Sequence, residues 1–288
     1  MAGKLIVALG MLALAFGGAC VPPEESNDIV VRFDEDTLMG RIQERGELIV
    51  ALPELPPFAR GVGSPQPEGF LVDLAEEVAA ALGVEATYVP LLYPASAEEA
   101  FASVDIASVD VSFPPFPITE ALAREHKFST PYYVGHQRVL SRRADADLAG
   151  LRVCQALDAT TGVPLERVEP GVETLDRPFA RCARLYRGGQ VDAVSASDLF
   201  LLGLTSGGRG HLWEDELTTE GFGPAVPLRA GGFGDFVSAV IIESKVEGRW
   251  MAAYERWLAD AFPPEERVGE PPTMTVSEAA ALHPANLE

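Results

Sequence analysis

A chain of 288 residues, 47 % hydrophobic and 23 % charged, holds enough apolar material for one large or two modest globular domains. Its formal net charge of −21, from 43 acidic against 22 basic residues, repels nucleic acid and anionic lipid headgroups. With no basic patch carrying interleaved aromatics, the composition argues against nucleic-acid binding and reads as a solubilising or halotolerant surface.

The first element is a targeting segment. Lys4 and the apolar run Leu5 to Phe16 have the charge and length of a secretory signal, and the run is too short to span a bilayer. Gly17-Gly18-Ala19-Cys20 resembles a lipobox, with Gly17 where that pattern prefers Leu. Lipidation of Cys20 and ordinary cleavage nearby are the two readings. Residues 1–19 are therefore expected as signal peptide and 20–37, acidic and proline-bearing, as a tether. With Cys20 set aside, Cys154 and Cys182 form an even pair in an exported chain. A bridge closing that loop of roughly 30 residues would stabilise by about 3–4 kcal/mol; two buried free thiols are the alternative. Two cysteines without a CxxC spacing make a poor metal site.

From Asp36, DTLMGRIQERGELIVAL predicts a short helix ended by Gly46, then a strand over Leu48 to Leu52 stopped by Pro53. In GFLVDLAEEVAAALGV, Leu74, Val78, Ala81 and Leu82 recur at helical spacing, with Asp73 near the start and Gly83 after the last turn. A strand over Ala86 to Leu92 and a helix over residues 96–103 complete a βαβα alternation, which argues for an α/β domain with a mostly parallel sheet. The pattern returns downstream: extended segments at Val139 to Ser141 and Leu151 to Gln155, a helix over Pro178 to Arg187, a strand over Val191 to Ser195, and the apolar Leu199 to Leu204. Residues 236–262 predict the longest helix, with Val246, Trp250, Tyr254, Trp257, Leu258 and Ala261 on one core-facing stripe.

Residues 105–133, DIASVDVSFPPFPITEALAREHKFSTPYY, join an Asp-initiated strand, an Ile-Thr-Glu turn and a Phe-Ser-x-Pro-Tyr-Tyr segment. Further pieces follow the same order: Gly46-Glu-Leu-Ile-Val-Ala with Pro56-Pro57-Phe58, Glu68-Gly69-Phe70-Leu71-Val72-Asp73-Leu74, Leu148-Ala149-Gly150-Leu151-Arg152-Val153 with Ala159-Thr160-Thr161, Gly189-Gln190-Val191-Asp192-Ala193-Val194 through Asp198, and Gly221-Phe222-Gly223-Pro224-Ala225-Val226. Over about residues 40–265 the chain resembles the bacterial extracellular solute-binding proteins, family 3, which serve amino-acid ABC transporters. The resemblance implies a two-lobed type II periplasmic-binding-protein fold, α/β, with mostly parallel sheets flanked by helices and two interlobe crossovers. Lobe 1 would comprise 38–133 and 226–288, lobe 2 134–225. It also implies a disulfide between Cys154 and Cys182, as in a subset of these lipoproteins, a ligand in the interlobe cleft, and ABC permease partners.

An α-amino acid brings a carboxylate and an ammonium, and burying either without partners is costly. The family grips the carboxylate with an arginine fork and with donors from the preceding turn. Here those positions hold Pro114, Pro115, Pro117 and, in place of the arginine, Leu122; proline has no N–H to donate. Arg60 and Arg124 are the candidate carboxylate partners. Phe58, Tyr93, Phe113 and Phe116 would make an apolar, aromatic lobe 1 wall suited to a ring, an aliphatic body or a cationic head, or would simply be core. On lobe 2, Thr160 and Thr161 fit ligand contacts or turn residues equally, and Asp198 fits an ammonium partner or the N-cap before Leu199.

The expected function is solute capture for an ABC importer, the ligand being a small polar or amine-bearing, amino-acid-like molecule, at the outer face of the cell membrane with a lipid on Cys20. No cofactor and no metal are expected. The alternative is a degenerate member acting as an envelope sensor or interaction protein. A dehydratase-like enzyme on the same scaffold is a third reading, against which His126, His136, His211 and His283 show neither triad nor metal-ligand spacing.

Overall fold

The computed structural model of the protein describes residues 31–92, 108–144, 147–156, 162–205, 210–213, 215–262 and 269–283. The signal segment 1–19, Cys20 and the tether up to residue 30, Tyr93, the helix expected over 96–103, and Thr160 with Thr161 lie outside the described residues.

Thr37 opens α1 (Leu38–Arg45) by accepting the Gly40 N–H, and Gly46 closes it in the left-handed conformation. β1 (Glu47–Leu52) follows directly. The helix read from its apolar spacing is α2 (Phe70–Leu82), ended by a left-handed Gly83 and buried along Leu71, Leu74, Ala75 and Val78. β2 (Glu85–Pro90), β3 (Val111–Ser112), α3 (Glu120–Glu125) and β4 (Lys127–Phe128) complete the first pass through lobe 1. β5 (Tyr133–Gly135) crosses to lobe 2. There the chain forms β6 (Gln137–Ser141), β7 (Arg152–Ala156), α4 (Leu165–Val168), β8 (Glu173–Arg177), α5 (Phe179–Arg187), β9 (Ala193–Ser197), α6 (Asp198–Thr205) and β10 (His211–Leu212). β11 (Glu220–Phe222) returns to lobe 1, where β12 (Ala225–Val226), α7 (Phe233–Val246), α8 (Arg249–Trp257) and α9 (Val276–Ala281) follow.

The lobe 1 sheet has the order β2-β1-β3-β12-β4 and the lobe 2 sheet the order β10-β6-β9-β7-β8. β1 is parallel to β2 and β3, and β7 to β8 and β9. One strand in each sheet runs against the rest, β12 in lobe 1 and β6 in lobe 2. Each is the strand entered straight from a crossover.

Two readings of the sequence change. The stripe over 236–262 is two helices, α7 and α8, broken at Gly248, whose φ of 81° a helix interior does not accept. The break turns Val246 out to solvent, 81 % exposed, while Trp250 and Tyr254 stay buried. Pro178 stands before α5 at its N-cap rather than within the first turn. The polar edge strand β8 carries no alternating apolar signal, with half-buried Thr174 and Leu175 between exposed neighbours.

The segment Phe128 to Tyr133 is held from behind. Ser129 Oγ donates to Gly234 O (3.0 Å), Thr130 N to Ser238 Oγ (3.0 Å) and Trp250 Nε1 to Tyr132 O (2.8 Å). Helices α7 and α8 thereby fix where the first crossover begins. A single apolar cluster runs from Leu48, Phe70 and Trp250 in lobe 1 through Phe58, Tyr133 and Phe222 to Leu140, Phe200 and Leu202 in lobe 2.

Candidate ligand-binding site at the crossovers

The crossing strands pair antiparallel: Tyr133 opposite Phe222, Val134 opposite Gly221, Gly135 opposite Glu220. Residues directly opposite in such a pair project to the same face, with Cβ atoms about 4.5–5.5 Å apart. At Gly135 that space is taken by Asp198, for a Cβ there would collide with Asp198 Oδ1 and come within 2.8 Å of the Tyr133 ring. The carboxyl of Asp198 and the side chain of Glu220 thus share one face of the crossover. Asp198 is 2 % exposed and Glu220 fully buried.

Asp198 is placed by the junction of β9 and α6. Its backbone N–H donates to His136 O (2.8 Å), and its Oδ2 accepts the His136 N–H (3.1 Å), while Oδ1 accepts no hydrogen bond among the described residues. Burial and the charge of Glu220 push its pKa up to about 7, against the opposing pull of Arg138, the His136 N–H and the Tyr133 hydroxyl. Burial, and then Asp198, also drive the Tyr133 hydroxyl well above its usual range. Arg138, 6 % exposed, donates to Glu216 Oε1 (2.6 Å), and Glu216 Oε2 stands 3.5 Å from His136 Nδ1. His136 Nδ1 donates to Thr218 O (2.8 Å).

The lobe 1 loop reaches this centre through Phe58. Its ring meets Tyr133 edge-on at 5.2 Å and Phe70 at 6.1 Å, and it is fully buried. Gly69 permits the approach: a Cβ there would stand 2.5 Å from Phe58 O, and its φ of 137° suits only glycine. Leu71 N donates to that same carbonyl (2.8 Å), so the start of α2 pins the loop. Further along the interlobe junction, a 310 Å³ hollow is lined by Leu55 and Pro56 from lobe 1 and by Phe179, Arg184, Phe200 and Gly203 from lobe 2.

The proline turn faces other company. Phe113 is fully buried against Tyr132, with ring centroids 5.6 Å apart. Pro115 and Pro117 are buried. Phe116, Ile118, Leu122, Phe128, Ala225 and Ala279 form a separate apolar cluster, with Met274 and Val276 against it. Leu122, where the family keeps its arginine, therefore packs beneath the C-terminal helix α9. Glu120 N donates to His283 O (3.1 Å), and a Cβ on Gly221 would stand 2.7 Å from Ala279 Cβ. Lys245 Nζ binds both Pro131 O (2.7 Å) and Pro272 O (2.6 Å), and burial lowers its pKa to about 8. The segment 269–283 thus straps lobe 1 to the return crossover.

Of the residues expected to line a cleft, Phe58 and Asp198 meet at the crossover through Tyr133. Phe113 and Phe116 lie in core clusters of lobe 1. Arg60 pairs with Glu68 (2.7 Å) and sits over Trp257 at 5.8 Å; Arg124 pairs with Glu120 (3.1 Å) and is 67 % exposed. Both arginines are spent on surface carboxylates. Cys154 and Cys182 are joined as a disulfide between β7 and α5, with Cα atoms 5.3 Å apart. Tyr133, Arg138, Glu216 and Glu220 were not singled out from sequence. Glu220 ends the mostly polar run Asp215 to Glu220, so only its place directly before the Gly221-Phe222 crossover could have marked it.

Two α/β lobes joined by a pair of crossing strands, each sheet carrying one reversed strand, define a two-lobed binding protein of the type II periplasmic class. The chain belongs to the bacterial extracellular solute-binding proteins, family 3, whose pattern it matches over residues 48–260. It is 29 % identical over 245 residues to the L-cystine-binding protein TcyJ of Escherichia coli (strain K12), a match covering 80 % of this chain and 89 % of that protein. Among solved structures it resembles a mutant of ArgBP from T. maritima, with a TM-score of 0.61, 26 % identity, and coverage of 77 % of this chain and 99 % of that one. The ancestral amino acid-binding protein AncCDT-1, a precursor of cyclohexadienyl dehydratase, shares the fold with a TM-score of 0.62 at 22 % identity, over 76 % of this chain and 98 % of that one. The protein is a solute-binding protein.

Proposed function

We propose that the protein is the extracytoplasmic binding subunit of an ABC importer, held at the membrane by a lipid on Cys20 after removal of residues 1–19. Residues 38–133 with 226–288 form one lobe and 134–225 the other. The ligand is a small amine-bearing, amino-acid-like molecule whose cationic group faces Asp198, with Thr160 and Thr161 contributing from lobe 2. The observation that carries this reading is the buried Asp198 carboxyl at the interlobe crossover, with one oxygen left without a hydrogen bond among the described residues. A buried acceptor of that kind is costly unless a donor completes it. Similarity to proteins named for L-cystine and arginine binding supports the amino-acid-like class.

Thermal-shift screening of L-arginine, L-cystine, other amino acids, polyamines, dipeptides and opines tests the proposal. A ligand present at a hundredfold excess over its Kd stabilises by about 2.7 kcal/mol, an unmistakable rise in melting temperature. No shift from any amine at millimolar concentration overturns it. Leu122 beneath α9 favours a second reading, a member that no longer binds solute and acts in the envelope as a sensor. Ligand-induced compaction in small-angle X-ray scattering would exclude that reading.

A further inference from the structure

The 310 Å³ hollow between the Leu55-Pro56 loop and helices α5 and α6 lies outside the Asp198 centre. We propose that it is a second ligand site, for a small carboxylate with an aromatic or aliphatic body, gripped from lobe 2 by Arg184 and Arg187. It is independent of the amine-binding reading. Helix α6 presents Asp198 at its first position, whereas Gly203 and Leu204 line the hollow from its other end.

One face of α5 builds the lobe 2 wall. Ala180, Ala183, Arg184 and Arg187 recur at i, i+3, i+4 and i+7, and all four line the hollow. Cys182, Leu185 and Tyr186 turn from that face into the core. Phe179 and Phe200 add an aromatic pair to the lining, with ring centroids 4.9 Å apart. Room for a ligand exists because Ala180, Ala183 and Gly203 are small. Gly203 also lets the lobe 1 loop come close, for a Cβ there would stand 2.7 Å from Pro56 O. A molecule in the hollow therefore touches both lobes at once.

Charge sets the ligand class. In a chain of net charge −21, Arg60, Arg124 and Arg256 each meet a carboxylate. Among the described residues, Arg184 and Arg187 meet none, and both are exposed at the hollow. Glu54, the acid in the lining, accepts the Gly61 N–H (3.2 Å) and the Val62 N–H (2.9 Å), which holds its carboxylate to its own loop. A guanidinium matches a carboxylate with two parallel hydrogen bonds, and the Leu55, Pro56 and Phe179 surfaces take an apolar body. The volume sits at the low end of the about 300–1,000 Å³ usual for small-molecule sites. It suits one ring or a short chain rather than a peptide.

Isothermal titration calorimetry of the full chain with 3-phenylpropionate and octanoate, beside the uncharged 3-phenylpropanol, tests the site. Both carboxylates are expected to bind saturably, and the alcohol about tenfold more weakly or worse. Arg184→Glu should weaken the carboxylates by about tenfold or more, and Ala180→Trp, filling the hollow from an exposed position, should abolish their binding. Arg181→Glu makes the same change of charge on the same helix, at an exposed position outside the lining, and should leave their affinity unchanged. Circular dichroism verifies that the variants fold. No binding of either carboxylate at millimolar concentration overturns the proposal. So does unchanged binding in Ala180→Trp, or an equal loss in Arg181→Glu and Arg184→Glu. The result is separable from the importer reading. Stabilisation by an amine without carboxylate binding removes this site and leaves that reading standing; carboxylate binding without any amine response gives the reverse.

Discussion

The lobe 1 turn and the start of α6 in lobe 2 approach the same crossover, yet one presents Pro115, Pro117 and Leu122 and the other presents Asp198. The turn is satisfied by packing: its residues are buried, and α9 covers Leu122 with Ala279, Met274 and Val276 nearby. The acidic side is not satisfied in this way, since Asp198 retains a buried oxygen without a donor among the described residues. A fold can therefore lose the polar groups of one wall at little cost when a new segment buries the replacement, whereas a buried charge left on the other wall keeps demanding a partner. On the function proposed above, that asymmetry would separate recognition of a ligand's cationic end from recognition of its carboxylate.

The largest perturbation should fall on the lobe that carries the acid. Replacing both Cys154 and Cys182 with Ala removes the staple between β7 and α5, and urea denaturation should register a loss of about 3–4 kcal/mol. Next, Leu122→Arg restores the family's cation to a site now sealed by α9. The same measurement should show a loss of about 3 kcal/mol, as for a buried charge without a partner. A stable Leu122→Arg protein with improved binding of an amino-acid carboxylate would break the comparison, because the turn would then still be an open wall. Gly135→Ala sharpens it from the other side: the added methyl must displace Asp198, costing about 2 kcal/mol by overpacking and weakening any amine that binds. Arg124→Ala should change stability by less than about 0.5 kcal/mol, and any effect on ligand affinity would return this exposed residue to the site.

Most of the lobe scaffold was legible because its elements carry local signatures. Gly46 and Gly83 end helices in the left-handed conformation that glycine adopts freely, and the apolar spacing of α2 is the spacing of its buried face. Asp198 was expected as an ammonium partner or as the N-cap before Leu199; it stands instead at the first position of α6, with its Oδ2 accepting the His136 N–H. Other features escaped for physical reasons. β5 and β11 are three residues each and acquire their meaning only by pairing across a gap of more than eighty residues. Glu220 becomes a neighbour of Asp198 through that register alone. The break at Gly248 was hidden because apolar residues on either side keep helical spacing while the axis changes. The covering of Leu122 depends on α9, which lies beyond the matched family region of 48–260.

The apolar cluster that links Phe70 and Trp250 to Phe200 and Leu202 has a thermodynamic consequence of its own. Lobes with separate interiors would melt as independent units. Here the rings of Phe58, Tyr133 and Phe222 belong to both interiors at once, so neither half can lose its packing without exposing the other's. Calorimetry should record one endotherm whose van't Hoff and calorimetric enthalpies agree. The joint between the lobes is then also the seam that makes them a single cooperative unit.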